Sequence, residues 1–163
     1  MTELFKYSEA PDRGMAIEDP VASALSHLQG RTNYALVGQN AVAVHVPGWY
    51  NIRVPLYVVG DTNHTDVQRA NLSILDEGNV IGEARQMDVQ YDGTTFHVAV
   101  AKPEHVITES LITNERESID AFRLIRHLRE TLDVELVRNL LKAHENYDQL
   151  YTKLVHAIYE LAR

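Results

Sequence analysis

Apolar positions along the chain fall into short periodic runs separated by Gly, Pro, Asn and Asp, and each run predicts an element. Asp19-Pro20 opens a helix, with Asp19 as N-cap and Pro20 at the first helical position. Val21, Ala24, Leu25 and Leu28 follow at i, i+3, i+4 and i+7, and Gly30 suits the stop. Tyr34-Ala-Leu-Val37 predicts a short strand and Gly38-Gln39-Asn40 a turn. Residues 41–45, small and apolar up to His45, read as a buried strand or a short helix packed on a sheet. Residues 52–59 predict a strand in which Pro55 disfavours a central, fully bonded place. Residues 60–63 form a turn. Thr65 or Asp66 then caps a helix carrying Val67, Ala70, Leu72, Ile74 and Leu75 and ended by Gly78. A strand within 80–91, a hairpin turn at Asp92-Gly93 and a returning strand over 95–101 come next.

The remainder reads as helix. Lys102-Pro103-Glu104 starts one that runs through Leu111. Asn114 and Glu117 form a capping box, and Ile119, Phe122, Ile125, Leu128 and Leu132 mark the buried stripe that follows. Asp133 caps a helix over 134–144, and Leu150, Leu154, Ile158 and Leu161 stripe the last one. The pattern predicts one domain over 1–163: a loose arm at 1–17, an α/β core at 18–111 and a helical extension at 112–163. The fold class is α+β or α/β, a mixed sheet flanked by helices with a C-terminal helical extension.

Composition narrows the function classes. The 163 residues carry a formal net charge of −8, so a protein that binds nucleic acid through its phosphates is not expected. With no cysteine, disulfides, thiolate metal sites and cysteine nucleophiles are excluded. Residues 1–13 hold no apolar signal core, and the longest apolar run, 41–47, is too short for a bilayer. A cytoplasmic protein without membrane contact is the expectation. The histidines show no zinc-binding spacing, and no Walker, dinucleotide or G-x-S-x-G motif occurs.

Three segments carry a family signal. The run Tyr34-Ala-Leu-Val-Gly38-Gln39-Asn40-Ala41-Val-Ala-Val-His45 resembles the opening of the nucleotidyltransferase superfamily (the polymerase-β-like fold), especially its abortive-infection and toxin–antitoxin branch. Gly38 matches the first glycine of the turn, Gln39 stands in place of the second, and Ala41 and His45 fall in register. Arg53-Val-Pro-Leu-Tyr-Val-Val59 occupies the strand that in the family bears an Asp-x-Asp pair. Pro103, Glu104, Ile107 and Leu111 match a later strand–helix segment, with Ser110 in place of its lysine. Asp88 lies where the third acid of the family sits.

The resemblance implies a nucleotidyltransferase-like sheet with a degenerate site. Nucleotidyl transfer needs paired carboxylates on magnesium, and Leu56, Tyr57, Val58 and Val59 supply none. The reading therefore leans away from an enzyme and assigns no catalytic residue, metal or cofactor. Its favoured function is a non-catalytic protein acting by protein–protein contact in a toxin–antitoxin or phage-defence setting. A homodimer or partner contact would use Tyr147, Tyr151, Leu154 and Ile158. Two alternatives stand beside it. A divergent magnesium-dependent nucleotidyltransferase, moving a nucleotide from an NTP to a protein or RNA hydroxyl, would recruit Asp61, Asp66 or Asp88 as replacement ligands. A small-ligand binding module would use Gly38, Asn40 and Arg53, with Arg53 meeting an anionic group. Considered singly, Gly38 reads as a tight turn, His45 as a satisfied buried histidine, and Asp61, His64 and Asp66 as turn and capping residues. Asp88 reads as a solvent-face strand residue beside Arg85.

Overall fold

The computed structural model describes residues 19–48, 50–113 and 115–161. The N-terminal arm and the Asn114–Glu117 capping box fall outside what it describes. Among the described residues a five-stranded mixed sheet has the order β3-β2-β1-β5-β4. Helix α1 (Pro20–Leu28) precedes β1 (Tyr34–Val37), and α2 (Gly38–His45) follows it without a loop. The chain continues through β2 (Leu56–Gly60), β3 (Val67–Arg69), α3 (Glu77–Gly82), β4 (Arg85–Tyr91) and β5 (Thr94–Val100). The helices α4 (Pro103–Ile112), α5 (Glu115–Leu128), α6 (Val134–Leu141) and α7 (Tyr147–Leu161) complete it. No helix among the described residues is long and apolar enough to cross a membrane.

Local chemistry explains most boundaries. The Asp19 carboxylate accepts from the Val21 and Ala22 N–H groups, which caps α1. Asp133 does the same for α6 through Leu136 N, although that helix ends at Leu141 rather than at His144. Both Asp92 and Gly93 have positive φ, 49° and 78°, the requirement of a type I′ hairpin turn between β4 and β5. The continuous apolar run of β1 follows from its place at the middle of the sheet. It pairs antiparallel with β2, Val37 opposite Tyr57 and Tyr34 opposite Gly60, and parallel with β5 at Leu36 and Val100. At Gly60 (φ 103°) a Cβ would lie 2.3 Å from the Asn33 carbonyl oxygen, so only glycine fits beside β1.

Three expectations are corrected. The predicted Gly38–Asn40 turn is the first turn of α2, and of the two readings of residues 41–45 the helical one holds. No helix starts at Asp66: Val67–Arg69 pairs with Leu56–Val58 as an edge strand, and the next helix begins at Glu77. Val67, Ala70 and Ile74 mimic helical spacing at i, i+3 and i+7, but the segment gains a backbone ladder from β2 that isolated propensity does not register. The buried face of α5 is Ala121, Leu124 and Ile125, while Ile119 is 46% exposed. A step of three residues drifts around a helix of 3.6 residues per turn, and so Ile119 leaves the stripe. One continuous hydrophobic cluster runs from Leu25 of α1 through Leu36 and Val100 of the sheet to Leu124, Leu141 and Leu154.

Candidate ligand-binding cavity

Strands β1 and β5 run parallel and end side by side, each passing into a helix. Ligands on such sheets gather outside the carboxyl ends of the strands. A cavity of about 520 Å³ opens at that end, between α2, the start of β2, the segment 70–75, α3 and α4. Its size falls within the roughly 300–1,000 Å³ typical of small-molecule sites. Gly38, Asn40 and Arg53, the three residues assigned to a ligand from the sequence, all line it.

Each of these residues has a distinct role. Gly38 (φ 74°) turns the chain from strand directly into α2, and a Cβ there would project into open space. The glycine is thus required by its backbone conformation. The residue before it, Val37, provides no side-chain cap, so the N-terminus of α2 presents backbone N–H groups at the cavity edge. Asn40 is 6% exposed, and its carboxamide is fully engaged with the backbone ahead of β2. Its Nδ2 donates to the carbonyl oxygens of Arg53 (2.9 Å) and Pro55 (3.5 Å). The Arg53 N–H donates back to Asn40 Oδ1 at 3.1 Å. Asn40 therefore positions Arg53. The Arg53 side chain is exposed at the mouth and makes no ion pair or hydrogen bond among the described residues.

The walls are apolar: Val42, Val54, Leu72, Leu75, Val80 and Val106. The inner end is formed by α4. His105 is 3% exposed, and neither ring nitrogen has a hydrogen bond among the described residues, Nδ1 being fully enclosed. Burial holds its imidazole below the ordinary value, and Glu83 only partly opposes this. The ring is therefore neutral at pH 7, with one N–H donor and one lone pair. Two carboxylates line the cavity, and both are engaged: Glu109 accepts from the Ser73 N–H at 2.8 Å, and Asp120 accepts from the Tyr50 hydroxyl at 2.6 Å. Arg53 is the single cation among the described lining residues.

The replacement carboxylates do not converge. β2 runs antiparallel to β1, so Asp61 follows Gly60 at the end of β1 remote from Gly38. Asp66 precedes β3, and Asp88 lies on the edge strand β4, where it is exposed. None of the three lines the cavity. Asp88 pairs with His97 across the hairpin rather than with Arg85. His64 serves its turn: Nδ1 accepts from the Asp66 N–H and Nε2 contacts Ser23 Oγ. His45 is satisfied, with Nε2 2.8 Å from the Ala101 carbonyl oxygen. Among the described residues no group of three or more His, Asp or Glu side chains is placed to share a metal ion.

The helical extension holds the residues assigned to a partner. Leu154 is completely buried inside the chain, and Tyr147, Tyr151 and Ile158 are half-buried. The rings of Tyr147 and Tyr151 stack at 5.7 Å, and Arg138 lies over Tyr151. Among the large apolar side chains of the described residues Tyr159 is the most exposed, at 71%; it lies near the sequence stripe of α7 but is not among the residues assigned to the partner contact.

Sequence reasoning also missed His105, Glu109 and Asp120 as cavity residues. A signal was present for the first two: 105, 106, 109 and 110 share one face of α4 at helical spacing. Comparison of the chain with family models, with curated proteins and with solved structures finds no match.

Proposed function

We propose that this chain is a non-catalytic binding protein for a small ligand, carried on a nucleotidyltransferase-like scaffold. The supporting observation is the convergence of Gly38, Arg53 and the α4 face on one cavity at the carboxyl ends of β1 and β5. Residues 15 positions apart meet there because Asn40 ties the two segments together. The scaffold assignment draws on register: Tyr57 lies opposite Val37, immediately before the Gly38 turn, where the family places its acids. The side chains at that place, Leu56 to Val59, favour holding a ligand over metal-assisted transfer.

The test is a thermal-shift screen of chemically diverse small molecules, followed by amide chemical-shift mapping. Stabilising compounds should perturb Gly38, Arg53 and His105, and Leu75→Trp, which fills the cavity, should abolish the effect. Compounds that bind equally well to Leu75→Trp, or map elsewhere, would remove the cavity from the function.

A second reading, docking of a protein on the helical extension, is favoured by the exposure of Tyr159 and Ile119 on the packed helices α5 and α7. Light scattering should then give a higher mass for the parent protein than for Ile119→Glu/Tyr159→Glu. Equal monomer masses would argue against self-association.

A further inference from the structure

Resting on the cavity as a ligand site, the arrangement of charge and burial within it specifies the ligand class. We infer that the occupant is a singly charged amphipathic carboxylate: its carboxylate meets Arg53 at the mouth, its apolar body lies along Val54, Leu72, Leu75 and Val106, and an inner hydroxyl or carbonyl reaches His105. Polarity is graded from outside to inside. The mouth carries Arg53, exposed and without a side-chain partner among the described residues, beside the uncapped N-terminus of α2. Both favour a negative group. The walls are aliphatic, and the inner end offers a neutral imidazole with no hydrogen bond among the described residues. Nδ1 is enclosed and out of a ligand's reach, so the nitrogen that a ligand oxygen can meet is Nε2.

The charge count separates a monoanion from a polyphosphate. One guanidinium and two carboxylates, Glu109 and Asp120, are the described charged side chains on the cavity wall. A single carboxylate is matched by Arg53. A triphosphate would bring several negative charges close to Glu109 and Asp120 with no further lining cation to offset them. Each carboxylate already accepts one hydrogen bond, Glu109 from Ser73 N and Asp120 from Tyr50 Oη.

Isothermal titration of the full chain tests this with four probes: plain monocarboxylates from hexanoate to dodecanoate, their ω-hydroxy counterparts, the corresponding n-alkanols, and ATP with magnesium. The ω-hydroxy acids should bind best, about tenfold tighter than the plain acids of equal length. Arg53→Gln should weaken both acids by roughly tenfold to a hundredfold and leave the alkanols unchanged. His105→Phe should erase the preference for the hydroxyl. If that variant does not fold, the imidazole ¹⁵N signals of His105 in the parent protein should shift with the hydroxy acid and not with the plain acid. Binding of magnesium–ATP with no binding of carboxylates would overturn the ligand class and leave the cavity as a binding site. Acids that bind Leu75→Trp as well as the parent would overturn the site itself. Binding insensitive to Arg53→Gln would overturn the assignment of the carboxylate to the mouth.

Discussion

Replacing Asn40 by aspartate changes one NH₂ to oxygen and tests the joint that brings α2 and Arg53 together. In the parent protein the amide donates to the carbonyl oxygens of Arg53 and Pro55 and accepts from the Arg53 N–H, at 6% exposure. Asn40→Asp keeps the shape and the acceptor, removes both donors, and sets a carboxylate oxygen against two carbonyl oxygens. The two lost hydrogen bonds, which leave two buried carbonyls unsatisfied, together cost about 2–4 kcal/mol at neutral pH. Asn40→Ala, which loses the contacts without adding charge, should cost about 1–3 kcal/mol. With a urea slope of about 1–3 kcal/mol per M, the aspartate variant should unfold about 1–2 M earlier. Its pH dependence sharpens the test. The surrounding carbonyls and burial favour the protonated acid, so the folded-state pKa of the introduced carboxyl lies above its unfolded value of about 3.9. Stability is then fully present below the unfolded pKa and is lost as pH rises through the folded one. The gap to the parent protein should be small near pH 4 and widen towards pH 7, by the linkage between binding of protons and folding. Chemical denaturation at both pH values measures it. A midpoint at neutral pH within about 0.3 M of the parent, given the same slope, would refute the tie from Asn40 of α2 to the segment ahead of β2.

Three further outcomes follow from buried groups. His45 and His105 are both held below the ordinary 6.5 by burial, so the stability they contribute is present above that value and lost as pH falls; His45→Gln should flatten urea midpoints between about pH 7 and 5, and an unchanged profile would count against a buried His45. Tyr34 is fully buried, accepts from the Ala99 N–H at 2.8 Å and has its pKa raised above 10.0, so its contribution is present below that value and lost at higher pH; Tyr34→Phe should cost about 1–3 kcal/mol at neutral pH, read by urea denaturation, while weakening the alkaline transition. Gly60→Ala should destabilise by about 3 kcal/mol or more, because its Cβ meets the Asn33 carbonyl, whereas Gly38→Ala should cost only the left-handed strain of about 1–2 kcal/mol; equal melting temperatures for the two variants would contradict the packing of β2 on β1.

By itself the sequence determined the elements whose signals are local. Asp19-Pro20, Asp133 and Asp92-Gly93 fix caps and a hairpin because the groups they satisfy lie within three residues in the chain. It also marked Gly38, Asn40 and Arg53 as belonging together, through the order of the motifs around them. The tertiary structure alone decided three matters. It made Val67–Arg69 a strand, since that ladder depends on β2 and not on the segment's own residues. It sent Asp61 to the far end of β1, since the antiparallel pairing of β1 with β2 is a choice no local spacing encodes. It set His105, without a hydrogen-bond partner among the described residues, in the lining of a cavity and Leu154 inside the core, because burial is a sum over elements distant in sequence. Local hydrogen bonding and helical spacing are written in neighbouring residues; strand direction, strand partners and enclosure arise only when the whole chain competes for the same interior.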